Sequence, residues 1–274
     1  MPVITLTTDF GNADHSVASV KGALLKEMPD ARLVDITHEI QPFDIAETAM
    51  VIKNVYPNFP ENTVHIIGVD AIPDNNARLL AAKIDGHYFL AADNGVLSLI
   101  LAELKPEIMV EITIGRYNPQ SNFPTRDIFV PVASHLLRGG KLEIIGNTTN
   151  TYKELNYTKP IMQNEKLLVG IVISIDRFGN IITNIKKQTF EEHRRGRNFT
   201  VNVRNHQFKK ILNRYADIIL EFPPGFNVHG EKMAIFNASD FLEIALYKSD
   251  PKTFGGANTL LGINKGDNIS IEFN

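Results

Sequence analysis

The run Ile173-Ser174-Ile175-Asp176-Arg177-Phe178-Gly179-Asn180-Ile181-Ile182-Thr183-Asn184-Ile185 sets an acid, an aromatic ring, a glycine and two amides inside a β-branched stretch. Ile173 and Ile175 lead in as a strand, Gly179 permits a tight bend, and Ile181, Ile182 and Ile185 lead out, so the polar group falls on a turn. Turns held by strands are favoured places for small-molecule sites. These residue types suit a nucleoside carrying an amine: Phe178 offers a face to a base, Asn180 a donor and an acceptor to its edge, and Asp176 a charge to an ammonium. The alternative is a hairpin whose Asp and Asn satisfy their own backbone.

A second polar group stands near the other end of the chain. Ile4-Thr5-Leu6-Thr7-Thr8-Asp9-Phe10-Gly11 is a β-rich run closing on an acid and a glycine, and Lys21-Gly22 follow in a helical pattern. That reads as strand, loop, helix, with Asp9 at a strand's carboxyl end, where open α/β sheets bind ligands. Asp35-Ile36-Thr37-His38, Pro42-Phe43-Asp44-Ile45 and Asp93-Asn94-Gly95 add polar loops after apolar runs. Taken in order, the stretches TTDFG, DITHEIQPFDI, ADNG, RDIF, IDRFGNIITNI and FLEIAL, spread over residues 7–246, resemble one family. It is that of the S-adenosylmethionine hydroxide adenosyltransferases, formerly a domain of unknown function, relatives of the fluorinase and chlorinase enzymes.

The resemblance implies an α/β domain joined to a β-barrel domain, a homotrimer, and S-adenosylmethionine bound between the N-terminal domain of one subunit and the C-terminal domain of its neighbour. The bond from C5′ to the sulfonium is broken by backside attack, with water in the hydrolases and halide in the halogenases. By motif match Asp9 holds the ribose hydroxyls and Phe43 lines the ribose pocket. Asp176 takes the methionine ammonium, and Phe178 with Asn180 holds the adenine. Asn237 falls where the family reads Asn-Ser, so Ser239 stands in for the hydroxyl missing at Ala238.

Methionine leaves as a neutral thioether, so the difficulty of the reaction lies with the nucleophile, which must be oriented and stripped of competing solvent. The family's hydrolases use an aspartate, an arginine and a histidine for this. Asp70, after the run Val64-His65-Ile66-Ile67-Gly68-Val69, matches the aspartate. The next loop departs from the pattern, since the position expected for arginine is Ala77, with Arg78 one residue further on. The histidine of the family's Phe-His-Gly-Arg-Asp motif has become Pro124 in Phe123-Pro124-Thr125-Arg126-Asp127, and Pro124 has no side chain that donates or accepts. Thr125 stands where hydrolases carry glycine and the fluorinase a halide-contacting serine, and its hydroxyl is the candidate to orient water or a small anion; the alternative is that it satisfies a loop backbone. Asp70, Arg78 and Thr125 are thus the candidate catalytic residues. Three readings follow: an S-adenosylmethionine hydrolase giving adenosine and methionine with an altered triad, a halide-using relative, or an adenosyl-ligand binding protein that has lost catalysis. No metal and no cofactor beyond S-adenosylmethionine as substrate is implied.

The elements that must position these residues divide near residue 160. Strand-like runs at Val3–Thr8, Arg32–Ile36, Thr63–Val69, Tyr88–Ala91 and Ile108–Ile112 alternate with helical patterns at Val17–Glu27, Ile45–Val55, Val96–Ala102 and Ile128–Arg138, which predicts a layered α/β domain over 1–158. Periodicity fails between Asn147 and Asn164. Beyond it Leu167–Ile175, Asn180–Ile185, Phe199–Val203, Met233–Phe236, Leu242–Leu246 and Asn268–Phe273 read as short strands with Gly-rich turns, a small β-barrel-like domain over 159–274. Gly139-Gly140 reads as a helix C-cap rather than a phosphate loop, and Arg194-Arg195-Gly196-Arg197 as a solvated loop.

Composition is consistent with that plan. The 274 residues exceed one usual domain, and 43% hydrophobic with 22% charged residues is a folding composition. A net charge of −3 argues against nucleic acid or an anionic membrane as partner. The absence of cysteine excludes disulfides, thiolate metal sites and a cysteine nucleophile. No apolar stretch reaches the roughly 18 residues of a membrane span, so a cytoplasmic protein is expected.

Overall fold

The computed structural model describes residues 3–71, 78–101, 104–114, 121–156 and 159–274. Ala77 and most of the loop that precedes Arg78 therefore lie outside the described residues. The chain divides into two compact units, Met1–Tyr157 and Thr158–Asn274.

The N-terminal unit runs β1 (Val3–Thr8), α1 (Ser16–Glu27), β2 (Arg32–Thr37), α2 (Ile45–Val55), β3 (Val64–Gly68), β4 (Leu79–Ile84), β5 (His87–Ala92), α3 (Val96–Leu101), β6 (Ile108–Ile112), α4 (Pro124–Asp127), α5 (Phe129–Leu137), α6 (Leu142–Ile145) and β7 (Gly146–Thr148). One sheet of order β2-β1-β3-β5-β4-β6-β7 collects the strands. Its first four are parallel, while β4, β6 and β7 join antiparallel. Neighbouring residues on a strand face opposite sides, and in β3 Ile66 joins a core with Leu24 and Phe129 while Ile67 joins another with Ile52 and Leu97. Helices thus cover both faces of the inner strands β1, β3 and β5, whose residues are largely buried, polar ones such as Thr5 and His65 included, while the edge strand β2 is partly exposed, and the carboxyl ends of the parallel strands open on one edge of the layer. Asp44 caps α2 by accepting from the Glu47 N–H at 2.9 Å. Gly139, at φ +84°, closes α5 with its N–H on the Leu136 carbonyl, as the C-cap reading requires.

Strand β4 is not among the expected strands, although Asp85-Gly86 marks its hairpin to β5. Both residues have positive φ, 51° and 75°, as a two-residue turn of this kind demands.

A polar ladder crosses the buried middle of this sheet. Thr5 Oγ1 on β1 is 2.7 Å from His65 Nδ1 on β3, and His65 Nε2 is 3.2 Å from His87 Nδ1 on β5. Tyr56, Phe59 and Phe89 enclose the imidazoles. Burial, with the neighbouring His87 adding to it, pulls the His65 imidazole down to about 3.

The C-terminal unit runs β8 (Ile161–Gln163), β9 (Leu167–Ile175), β10 (Ile181–Lys186), α7 (Lys187–Arg194), β11 (Phe199–Val203), β12 (His206–Phe208), β13 (Lys232–Phe236), β14 (Phe241–Leu246), α8 (Ala257–Leu261) and β15 (Asn268–Phe273). Its eight strands pair antiparallel in the order β12-β11-β15-β9-β10-β14-β13, with β8 on β9, a nearly closed barrel-like sheet around Leu168, Ile181, Phe190, Ile244 and Phe273. Of Arg194–Arg197, the turn at Arg195 and Gly196 is exposed as a solvated loop would be, but its flanks are packed: Arg194 ends α7 over the Phe190 and Phe199 rings, Arg195 takes the left-handed C-cap position, and Arg197 donates to the Glu165 and His193 carbonyls. Long basic side chains with apolar stems pack this way when aromatic rings are at hand. Among the described residues no helix is long and apolar enough to cross a membrane.

Candidate active site

The parallel register places Thr8 of β1 beside Gly68 of β3, so Asp9 and the Val69-Asp70 pair leave the sheet at the same edge. Asp9 Oδ2 accepts the Phe43 N–H at 3.0 Å. Phe43 itself is 65% exposed at φ +65°, a left-handed conformation that a bulky residue adopts at a cost of order 1–2 kcal/mol. A strained backbone and a solvated ring at one residue is the pattern of a ligand-lining position. Asp70 is exposed at φ +46°, and its carbonyl and that of Val69 are held by Asn94 Nδ2 at 3.3 and 3.0 Å. Asn94 also accepts the Val96 N–H at the start of α3, tying the Asp93-Asn94-Gly95 loop to the Asp70 backbone.

The segment Ser121–Asp127 closes over this edge. Phe123 meets Phe10 edge to face at 5.5 Å and takes Arg126 over its ring, while Arg126 Nε donates to Asp127 Oδ1 at 2.6 Å and holds that carboxyl below the usual range. Pro124 opens α4, where its missing N–H costs nothing. Thr125 is 1% exposed, and its Oγ1 has no hydrogen-bond partner among the described residues. A Cβ built on Gly68 would stand 2.8 Å from Thr125 Cγ2 and 2.9 Å from Oγ1, so only glycine lets the hydroxyl sit on the end of β3.

Arg78, at the start of β4, turns to other partners. Its Nε lies 3.2 Å from Glu111 Oε2 and its Nη1 3.7 Å from Asp93 Oδ2, while Nη2 donates to Thr149 Oγ1 at 3.1 Å and to the Thr151 carbonyl at 2.9 Å. His38 is buried with Nδ1 2.8 Å from Thr8 Oγ1 and Nε2 3.1 Å from Asp35 Oδ1. Burial pushes the Asp35 carboxyl up, but its hydrogen bond from Lys21 and the adjacent His38 outweigh that and hold it below the usual range.

The second polar group is the β9–β10 turn. Asp176 Oδ1 accepts the Phe178 and Asn180 N–H groups at 2.8 and 2.9 Å, and Oδ2 accepts Asn180 Nδ2 at 3.0 Å. The turn therefore satisfies its own backbone while leaving Phe178 66% exposed. Gly179, at φ +74°, lies against Gly256, where a Cβ would stand 2.6 Å from the Gly256 Cα, and its carbonyl accepts the Asn258 N–H at 2.9 Å. The hairpin is thereby docked on the start of α8.

Asn237 Oδ1 accepts the Ser239 and Phe241 N–H groups at 3.0 and 3.1 Å, shaping the β13–β14 turn. Its Nδ2 donates at 3.2 Å to Glu243, a buried acid absent from the expected site residues. The available signal was a lone carboxylate inside the apolar run FLEIAL. Tyr215 donates to the same carboxylate at 2.6 Å. Among the described residues no group of three or more His, Cys, Asp or Glu is arranged to hold a metal ion.

Two family models match the chain: the S-adenosylmethionine hydroxide adenosyltransferase N-terminal domain over residues 4–146 and its C-terminal domain over 170–270. An (R)-S-adenosyl-L-methionine hydrolase of Methanocaldococcus jannaschii is 31% identical over 280 residues, covering 99% of this chain and 96% of that one. A fluorinase of Nocardia brasiliensis is 29% identical over 226 residues, 70% of this chain and 73% of its own. A solved structure of a conserved protein from Thermotoga maritima superposes with a TM-score of 0.82 at 30% identity, over 98% of this chain and 99% of that one. With both family models matched in order, and with a full-length relative above 30% identity, the chain belongs to the S-adenosylmethionine hydroxide adenosyltransferase family.

Proposed function

We propose that the protein hydrolyses S-adenosylmethionine. Water attacks C5′ from the side opposite the sulfonium, the C5′–S bond breaks with its electron pair going to sulfur, a proton leaves the water, and adenosine and methionine are released. The observation that carries this reading is the meeting of Asp9, Asp70 and the buried Thr125 hydroxyl at the ends of β1 and β3. The name of the full-length Methanocaldococcus relative supports it.

Asp9 holds the ribose hydroxyls, its carboxylate fixed by the Phe43 N–H, and Phe43 lines the sugar. Asp70, turned outward by its left-handed backbone, orients the water and receives its proton. Thr125 supplies a hydroxyl whose hydrogen-bonding capacity is unspent. Arg78 acts through Asp93, holding the loop that Asn94 fastens to Asp70. With Arg78 so engaged and Pro124 in place of a histidine, little positive charge lowers the water's pKa, and turnover is slow at neutral pH and rises with hydroxide.

The Asp176 turn takes the amino-acid end and adenine of the ligand, with Phe178 and Asn180 on the base and Asn237 and Ser239 closing the other side. Each site is completed by the neighbouring subunit of a homotrimer. The test is adenosine release followed by chromatography, with sedimentation on the same samples. Asp70→Asn is expected to slow release by about 10²–10⁴, and Ala77→Arg with Pro124→His to speed it. Fast wild-type turnover unaffected by Asp70→Asn refutes the mechanism. Binding without turnover, unrescued by the double variant, favours the binding protein.

A further inference from the structure

Glu243 is 2% exposed in the middle of β14, where its register partners across the sheet, Ile182 and Ile235, are apolar. Two neutral donors hold it: the Tyr215 hydroxyl at 2.6 Å on Oε1 and Asn237 Nδ2 at 3.2 Å on Oε2. The charged group that faces it is another acid, Asp176 at the end of β9, close enough to disfavour ionisation of both Glu243 and Tyr215. Among the described residues neither Asp176 nor Glu243 enters an ion pair. Buried acids are ordinarily paired with a cation, and two neighbouring acids without one leave a region of negative potential that a cationic ligand group would relieve.

We propose that Glu243 is a positioning and specificity residue for the ammonium group of the bound amino acid, acting as a second negative charge behind Asp176 and as the anchor of Asn237. The proposal rests on the adenosyl-ligand reading and deepens it. Asp176 spends three hydrogen bonds on its own turn, so a single charge there is already partly neutralised by backbone dipoles. Glu243 restores the field without competing for the contact. It also gives the site a pH response. Burial pushes the Glu243 carboxyl above the usual carboxylate range, with Asp176 adding to the rise and the bonds from Tyr215 and Asn237 opposing it. Protonation of Glu243 therefore removes one of the site's two negative charges at a higher pH than an ordinary carboxylate would, while a ligand ammonium favours the ionised form and expels the proton.

Two adenosyl thioethers that cannot undergo the sulfonium reaction separate the roles. S-adenosylhomocysteine carries the ammonium, and methylthioadenosine lacks the amino acid. In calorimetric titrations Glu243→Gln is expected to weaken S-adenosylhomocysteine about tenfold, the scale of one charge removed from a partly desolvated cluster, and methylthioadenosine less than about twofold. Wild-type affinity for S-adenosylhomocysteine should fall with acid, and the fall should be smaller in the variant, which keeps only Asp176. Tyr215→Phe keeps the acid but removes a donor that stabilises its ionised form, so the midpoint of the pH response should move upward. Equal losses for both ligands, or an unchanged pH response in Glu243→Gln, overturn the proposal while leaving the adenosyl site standing. Failure of the wild type to bind either thioether overturns both.

Discussion

Acid should loosen the N-terminal unit through His65. The imidazole is 1% exposed, stacks on Phe89 at 4.8 Å, and is fixed between Thr5 and His87. Neutral imidazole serves this place well, since one ring nitrogen accepts and the other donates, whereas the cation would be buried beside a second histidine. Because the folded-state value, about 3, lies below the ordinary 6.5, the stabilisation is complete above about pH 6.5 and is lost as pH falls toward 3. At pH 5, which is 1.5 units below the unfolded imidazole's 6.5 and above the folded value, the unfolded chain is protonated here and the folded one is not, a loss of about 2 kcal/mol at roughly 1.36 kcal/mol per unit. That is a large fraction of the usual 5–15 kcal/mol of a folded domain. Urea unfolding at pH 7.5 and 5.0, with amide exchange on β1 and β3 to report this unit, should show the drop in the wild type. In His65→Gln the drop should shrink by about 2 kcal/mol, the residue being due to His87, which burial also lowers. An identical pH dependence in the two proteins, or an imidazole NMR titration of His65 near 6.5, refutes the reasoning. The strands concerned end in Asp9 and Asp70, so activity should fade with the same protection factors.

Two further outcomes follow from the sites. Gly179→Ala forces a left-handed alanine and drives its Cβ to 2.6 Å from the Gly256 Cα, so the hairpin must leave α8; a stability loss of at least about 1–2 kcal/mol and weaker binding of adenosine are expected in thermal melts and calorimetry, and unchanged binding would detach the turn from the ligand. Arg78→Ala strips partners from Asp93 and Thr149 and should lower stability by about 1–3 kcal/mol, with activity falling only as far as the Asp93–Gly95 loop is displaced; a fall of about 10² or more in kcat at unchanged melting temperature would instead make Arg78 a direct aid to the nucleophile.

Much of this was legible in order along the chain, for reasons that differ between residues. Asp9 and Asp93 were visible because each is the acid closing a strand-like run, and Asp70 because it follows Val64–Val69 and matches the family's aspartate. Strand β4 was not read, because its short apolar run is not told from a buried helix segment by periodicity; the Asp85-Gly86 turn was the better signal. Arg194 and Arg197 read as solvated because sequence alone does not reveal that Phe190, Phe199 and Phe273 lie under them. Glu243 went unnamed since periodicity marks a residue as inward without saying that an inward carboxylate has found Tyr215, 28 residues away in the chain.

The two readings of the Asp176 turn, a self-satisfied hairpin and a ligand site, are compatible once its bonds are counted. A carboxylate ordered only by its ligand would lose side-chain freedom on binding, and so would the exposed ring beside it. Here the Asp176 oxygens are already fixed by Phe178, Gly179 docks the bend on Gly256, and Asn180 is held by both its backbone and its side chain. Two carboxylate oxygens offer about four acceptor positions, of which three are used, leaving one on Oδ2 for an incoming donor. The internal bonds are thus the means by which a short turn presents a rigid acid and an exposed aromatic face together. A variant such as Asp176→Asn, which keeps the shape but reverses one donor and removes the charge, would disturb the turn and the ligand at once, whereas Glu243→Gln leaves the turn's own bonds intact and isolates the electrostatic part of recognition.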